Sequence, residues 1–326
     1  MKKNKQVWKT GLGLMLAGIV LAGCGTNNEA DSGKDEGINI GVLQYMEHES
    51  LSLAREGFLS EFEEAGYIEG ENLTVDYQNA QGDQANLQSM SERLAGKNDV
   101  VLAIATPAAQ ALANVTEEDP ILFTAVTDPV DAGLAETMEK PNKNLTGTSD
   151  IVPIEEQIAL LLSVAPEAKT VGIIYNSSEP NSKIQADLAE KAIKDKGVAV
   201  KVLTVTSTND VQQVMTTLAQ EVDAVYIPTD NTLASTMPTV GEIAMEYKLP
   251  VIPGSAEMVQ AGALATYGIN YSDLGRQTAK MALEIIKDGK KPANMKVETS
   301  NNLELVINKD MAKALGIDPA SIVIPK

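Results

Sequence analysis

Polar side chains able to hold a small molecule recur where short apolar runs end. They fall into groups: Gln44, Tyr45 and Glu47; Thr106 with Pro107 and Ala108; Thr127 and Asp128; Tyr175, Asn176, Ser177 and Ser178; Thr229, Asp230 and Asn231; Ser255; and Tyr271. Hydroxyls and amides give and accept hydrogen bonds, whereas an ionised carboxylate only accepts them. Thr106 and the N–H groups after Pro107 suit an anion, because proline at a first helical position leaves the next N–H groups pointing outward. Ser177 and Ser178 are further donors. Asp230 is the expected partner of a cation, with Asp128 as its rival, and Tyr45, Met46, Pro129, Tyr175, Met258 and Tyr271 offer apolar packing. Any single Ser, Thr, Asp or Asn before a helix is also a natural cap, so the grouping carries more weight than its members.

What these residues lack is catalytic company. His48 is the sole histidine, set in Glu47-His48-Glu49, and matches neither a two-histidine zinc helix nor a triad. It reads as a loop residue at the rim of a site. No Gly-Lys-Ser/Thr phosphate loop occurs, and Glu63-Glu64 and Glu117-Glu118 fall on stretches that read as solvated. The expectation is binding without catalysis, cofactor or metal.

Short β-branched runs alternate with longer amphipathic ones, and this order positions the polar groups. Strands are expected over 38–43, 73–77, 100–104, 121–126, 171–175, 198–205, 224–227 and 251–252; helices over 51–65, 84–94, 184–196, 211–218 and 233–247. Alternating strands and helices imply parallel sheets covered on both faces. An internal repeat refines this. Asp99-Val100-Val101-Leu102 answers Asp223-Ala224-Val225-Tyr226, Pro120-Ile121-Leu122 answers Pro250-Val251-Ile252, and Gly41-Val42-Leu43 answers Gly172-Ile173-Ile174. Three matches in one order predict two similar doubly wound α/β lobes, roughly 38–150 and 151–268. Ligands of open parallel sheets bind beyond the carboxyl ends of the strands, so two facing edges make a cleft.

The N-terminus says where this cleft works. Lys2, Lys3, Lys5 and Lys9 precede an apolar run from Gly11 to Ala22 that is too short to span a bilayer, the pattern of a signal peptide over 1–23. Leu21-Ala22-Gly23-Cys24 resembles the lipobox of bacterial lipoproteins, which implies cleavage before Cys24, acylation of its thiol and attachment to the outer face of the cell membrane. Residues 24–37 are polar and read as a tether. The chain carries −19, and −23 without the four signal lysines, a sign that repels nucleic acid and anionic head groups. A length of 326 residues favours two cores.

From Ile38 onward the chain resembles the ABC transporter substrate-binding family that includes the tryptophan- and tyrosine-binding lipoproteins. The residues that carry the resemblance include Gly57-Phe58, Ala65-Gly66-Tyr67, Ala105-Thr106-Pro107-Ala108, Thr127-Asp128-Pro129-Val130, Asn144-Leu145-Thr146-Gly147, Pro228-Thr229-Asp230-Asn231 and Tyr271-Ser272-Asp273-Leu274-Gly275. It implies the type I periplasmic-binding-protein fold, with hinge strands near 147–150, 266–270 and 300–303. About 269–300 would then join the first lobe and about 301–326 the second. It further implies an aromatic L-amino acid as ligand and a permease with its ATPase as partners; the protein itself is expected to be a monomer. A nucleoside or purine is the alternative ligand class, and a membrane sensor the alternative partner.

Overall fold

The computed structural model describes residues 37–325, so the expected signal peptide, Cys24 and nearly all of the tether lie outside the described residues. The chain runs β1 (Ile38–Gln44), α1 (Glu49–Glu64), β2 (Leu73–Asn79), α2 (Gln84–Leu94), β3 (Val100–Ile104), α3 (Thr106–Val115), β4 (Ile121–Val126) and β5 (Leu145–Ser149). It continues with α4 (Ile154–Val164), β6 (Thr170–Asn176), α5 (Pro180–Asp195), β7 (Ala199–Val205), α6 (Val211–Ala219), β8 (Ala224–Ile227), α7 (Asn231–Ser235) and α8 (Met237–Tyr247). The last elements are β9 (Val251–Pro253), α9 (Ala256–Gln260), β10 (Ala265–Ile269), α10 (Tyr271–Asp288), β11 (Glu298–Thr299), β12 (Leu303–Ile307) and α11 (Lys309–Leu315).

Two parallel sheets form two lobes, ordered β2-β1-β3-β4-β5-β11 and β7-β6-β8-β9. The shared order second, first, third, fourth is the structural form of the sequence repeat: β6 stands for β1, β8 for β3 and β9 for β4. The central strands β3, β4 and β8 are buried along their whole length, as strands covered by helices on both faces must be. An antiparallel pair, β10 with β12, completes the molecule, and a single bridge from Ser255 to Ile269 ties it beside β9.

Two departures from the sequence reading have local causes. The helix expected over 233–247 is two, because Pro238 lacks an N–H and would clash with the carbonyl one turn back; Thr236 leaves helical geometry and the chain restarts at Met237. Lys309–Leu315 forms an eleventh helix that packs against α8.

The crossing of α1 and α10 ties the two ends of the chain together. Gly57 faces the backbone of Ser272 and Gly275 the backbone of Ala54, so closely that a methyl at either position would strike a carbonyl oxygen. Glycine lets the two helices touch backbone to backbone. Around the crossing, Arg276 binds Glu64 at 2.8 Å, Glu61 at 3.3 Å and Ser60 at 2.7 Å.

Candidate functional site

Between the carboxyl ends of the two sheets lies a partly open cavity of about 320 Å³, counting the solvent-facing space at its mouth. One wall comes from the start of α1 (His48, Ser50, Leu51), the end of β4 (Ala125, Thr127) and the residue after β5, Asp150. The opposite wall comes from Asn181 at the start of α5, from Thr229, Asp230, Asn231 and Ala234 around α7, and from Ser255 and Met258 at α9; Tyr271 at the start of α10 adjoins both, its hydroxyl donating to Asp150 at 2.6 Å and its N–H to Glu257 at 3.1 Å. Direct contacts that join the walls include His48 Nε2 to Asn231 Oδ1 at 3.2 Å, Ser50 Oγ to Ser255 Oγ at 3.5 Å, and Gln185 Nε2 to Thr127 Oγ1 at 3.2 Å.

Of the residues singled out in the sequence, Thr127, Thr229, Asp230, Asn231, Ser255, Met258 and Tyr271 line this cavity. Pro107 and Ser178 line a separate groove with Gln84, Gln88 and Gln110. The others sit elsewhere. Gln44 is buried against Tyr77 and Arg55, and Glu47 faces Ser52 and Asn79. Asp128 accepts from the N–H groups of Val130 and Asp131 and serves its own turn. Asn176 bonds Thr232 and Ser178, Ser177 is exposed, and Thr106, Ala108 and Tyr175 are packed into the lobes. Tyr45 is buried close enough to Glu179 and Asp230 for burial and their charges to push its hydroxyl up to about 12.

Asp230 is buried, and both of its oxygens are engaged inside its own lobe. Oδ1 accepts from Leu233 N at 2.8 Å as the cap of α7, and Oδ2 accepts from Asn176 N at 2.7 Å. Burial first and the neighbouring Glu179 second raise its carboxyl to about 8. Glu179, 1% exposed, accepts from Asn231 through N and Nδ2 and from Thr232 through N and Oγ1.

The sequence reading missed Asp150 as a site residue and took it only for the end of a hinge strand. It is 3% exposed; Oδ2 accepts from the Tyr271 hydroxyl at 2.6 Å, while Oδ1 is buried without a hydrogen-bond partner. Burial raises its carboxyl, with the hydroxyls of Tyr271 and Thr127 pulling back. A signal was present: Asp150 precedes Ile151-Val152-Pro153, so no helix follows closely enough for it to cap. His48, read from the sequence as a loop residue at the rim, lines the cavity itself. It is the residue before α1 and makes no side-chain cap, so the first N–H groups of a 16-residue helix stay open beside the cavity. The backbone is bent to match: Ala125 holds a φ of 57° at an irregularity of β4, a conformation that costs a non-glycine residue about 1 kcal/mol and recurs at ligand sites.

Among the described residues, no three His, Cys, Asp or Glu side chains converge as metal ligands do, and no helix is long and apolar enough to cross a membrane.

A family model described as ABC transporter substrate binding protein matches residues 39–324. The chain is 39% identical to a tyrosine-binding protein of Clostridioides difficile, across 98% of its own length and 95% of the relative's. Among solved structures it resembles a Streptococcus pneumonia ABC domain in complex with L-Trp, with 39% identity, a TM-score of 0.82, and 89% and 96% of the two chains covered. It also resembles the ligand-free, open structure of a substrate binding protein from Clostridium difficile, with 44% identity, a TM-score of 0.68, and 86% and 95% covered. The geometry agrees better with the complex although its sequence is the more distant, which matches the contacts that join the cavity walls.

Proposed function

From the premise that this chain belongs to the ABC transporter substrate-binding proteins, with the type I periplasmic-binding-protein fold and a binding rather than a catalytic task outside the cytoplasm, we propose that its ligand is an aromatic L-amino acid, tryptophan or tyrosine. The observation that carries this is the Asp150 carboxylate, buried in the wall of the cavity with one oxygen unpaired. A buried anion is costly until a cation meets it, and a ligand ammonium supplies that cation. The ligand carboxylate is received by the open N–H groups at the start of α1 and by the Ser50 and Ser255 hydroxyls, where the positive end of a long helix favours an anion. Leu51, Ala125, Ala234 and Met258 supply apolar walls for a ring. The tyrosine and tryptophan named for the two relatives support the same class.

Calorimetry with tryptophan, tyrosine, phenylalanine, leucine, adenosine and ribose tests the class; a protein that binds none of the amino acids refutes it.

Binding in a cleft between lobes also supports a place in an importer, with a membrane permease and its ATPase as partners and the lobes divided near residues 150, 269 and 301. The lipid anchor at Cys24 belongs to the same reading. A Cys24→Ala protein that stays processed and tightly membrane-bound on fractionation refutes it.

A further inference from the structure

We propose that His48 and Asn181 form an acceptor pair that reads a hydrogen-bond donor on the ligand's side chain, an indole N–H or a phenol O–H, so that the site selects among aromatic amino acids by that donor. The inference deepens the amino-acid reading of this cavity and rests on it.

The argument starts from Glu179, which is buried and accepts from Asn231, Thr232 and Asn181. Both of its oxygens receive backbone N–H groups, Asn231 N on Oε2 and Thr232 N on Oε1, so each acts as an acceptor. Any amide beside it must turn its NH₂ group inward, and two amides do so. Asn231 Nδ2 donates to Glu179 Oε2 at 2.6 Å, and Asn181 Nδ2 donates to the same oxygen at 3.4 Å and to Ser182 Oγ at 3.3 Å. Turning either amide over would set oxygen against oxygen, so the carboxylate fixes the orientation of both.

The consequence passes outward. With Nδ2 committed to Glu179, Asn231 presents its Oδ1 to His48 Nε2 at 3.2 Å, and this contact is a hydrogen bond only if Nε2 carries the proton. His48 is held neutral, since burial pushes its pKa down to about 4. A neutral imidazole with its proton on Nε2 has a lone pair on Nδ1. That atom is buried without a partner, as is Asn181 Oδ1, and both residues line the cavity. These two atoms therefore act as acceptors only.

Asp150 Oδ1 is a third unpartnered acceptor, and it belongs to a different end. Asn181 and Gln185 lie one turn apart on α5, about 6 Å along its axis. Gln185 holds Thr127 and Thr229, which adjoin Asp150 and Tyr271, whereas Asn181 adjoins Glu179 and the His48 contact. A ligand that satisfies both ends carries donors at both. An α-ammonium serves Asp150, and a second N–H or O–H, separated from it by an apolar body, serves His48 and Asn181. Phenylalanine and leucine have the first donor and lack the second, so binding either leaves two buried acceptors unpaired, at a cost of about tenfold to a hundredfold in affinity.

Calorimetry on the whole exported protein with two matched pairs tests this: tyrosine against phenylalanine, and tryptophan against 3-benzothienylalanine, in which sulfur replaces the indole N–H at nearly constant shape. At least one pair should separate by tenfold or more, with the N–H or O–H member binding more tightly, and Asn181→Leu should bring that ratio toward one. If neither pair separates while amino acids bind, the acceptor pair is refuted and the amino-acid reading stands. If the wild type separates a pair and a folded Asn181→Leu protein keeps the full ratio, Asn181 is refuted as the reader. If no amino acid binds, both readings fall together.

Discussion

Asp150 and Asp230 are two buried acids at one cavity, and their surroundings assign them different work. The oxygens of Asp230 are occupied by the backbone of its own lobe, whereas one oxygen of Asp150 is free. Asp150→Asn keeps the shape and removes the charge, and should weaken amino-acid binding by about 2–5 kcal/mol, the range for breaking a desolvated pair. Asp230→Asn should lower stability, because the asparagine NH₂ must face the N–H of Asn176 or Leu233, but should change affinity by less than about 1 kcal/mol, because both oxygens serve the backbone of their own lobe. Calorimetry of the two variants side by side decides, and the opposite ranking would return the ammonium to Asp230. His48 adds a pH dependence whose sign follows from the direction of its shift. Burial lowers its pKa from the ordinary 6.5 to about 4, so if opening returns the ring to water a proton is held more tightly in the open form, and acidification through that window favours opening. Between pH 7 and pH 5 affinity should fall about 20-fold from this group. Around His48 lie Asn231, which is neutral, and Glu47, whose charge raises the pKa; Asp150 across the cavity also loses charge on acidification and acts in the same direction. His48→Gln should flatten most of the loss, and an unchanged slope would clear His48 of the role. The sequence showed Thr127, Thr229, Asp230, Asn231, Ser255 and Tyr271 as polar residues at strand ends, and those do meet. It could not show that Thr106 and Asp128 turn away, since facing depends on how the lobes meet and not on local order.

At the scale of elements, the strands were legible because burial on both faces leaves an unbroken apolar run, as in Val100–Ile104 and Ala224–Ile227. Helix breaks were less so: the hydrophobic period carries straight through Thr236, and only Pro238 betrays the interruption. The contact of α1 with α10 lies beyond any local signal, since it joins Gly57 to a segment more than two hundred residues away. Yet this contact sets the cavity floor, for α1 begins at the His48 and Ser50 wall and α10 begins with Tyr271. A Gly275→Ala methyl has no room against Ala54 and must push the two helices apart. It should cost about 1–3 kcal/mol of stability, the usual range for overpacking. Urea unfolding measures that directly. Because both helix starts would shift, ligand affinity should fall as well, and a variant with full stability would show that the crossing has slack.

At the scale of the whole molecule, the direct contacts between the walls are few and individually weak. They include one histidine–amide bond, one long serine pair, one glutamine–threonine bond and the Tyr271 N–H on Glu257. Net hydrogen bonds contribute about 1 kcal/mol each, and closing also buries Asp150 with an unpaired oxygen, which opposes it. These terms leave the two forms within a few kcal/mol of each other without ligand. A ligand that pairs with Asp150 on one lobe and meets Ser255 and Asn181 on the other adds free energy to the closed form alone, and that difference in affinity is what shifts a population. In solution the ligand-free protein should therefore spend an appreciable fraction of its time open. Small-angle scattering with saturating tryptophan or tyrosine should show the radius of gyration falling toward about 19 Å, the value for a compact chain of this size. A radius that does not move, in a sample that calorimetry shows to bind, would mean that the contacts between the walls hold the clamp shut by themselves. Weakening them with Gln185→Ala should then restore the ligand-driven contraction, because it removes the one side chain that bonds Thr127 on one lobe and Thr229 on the other.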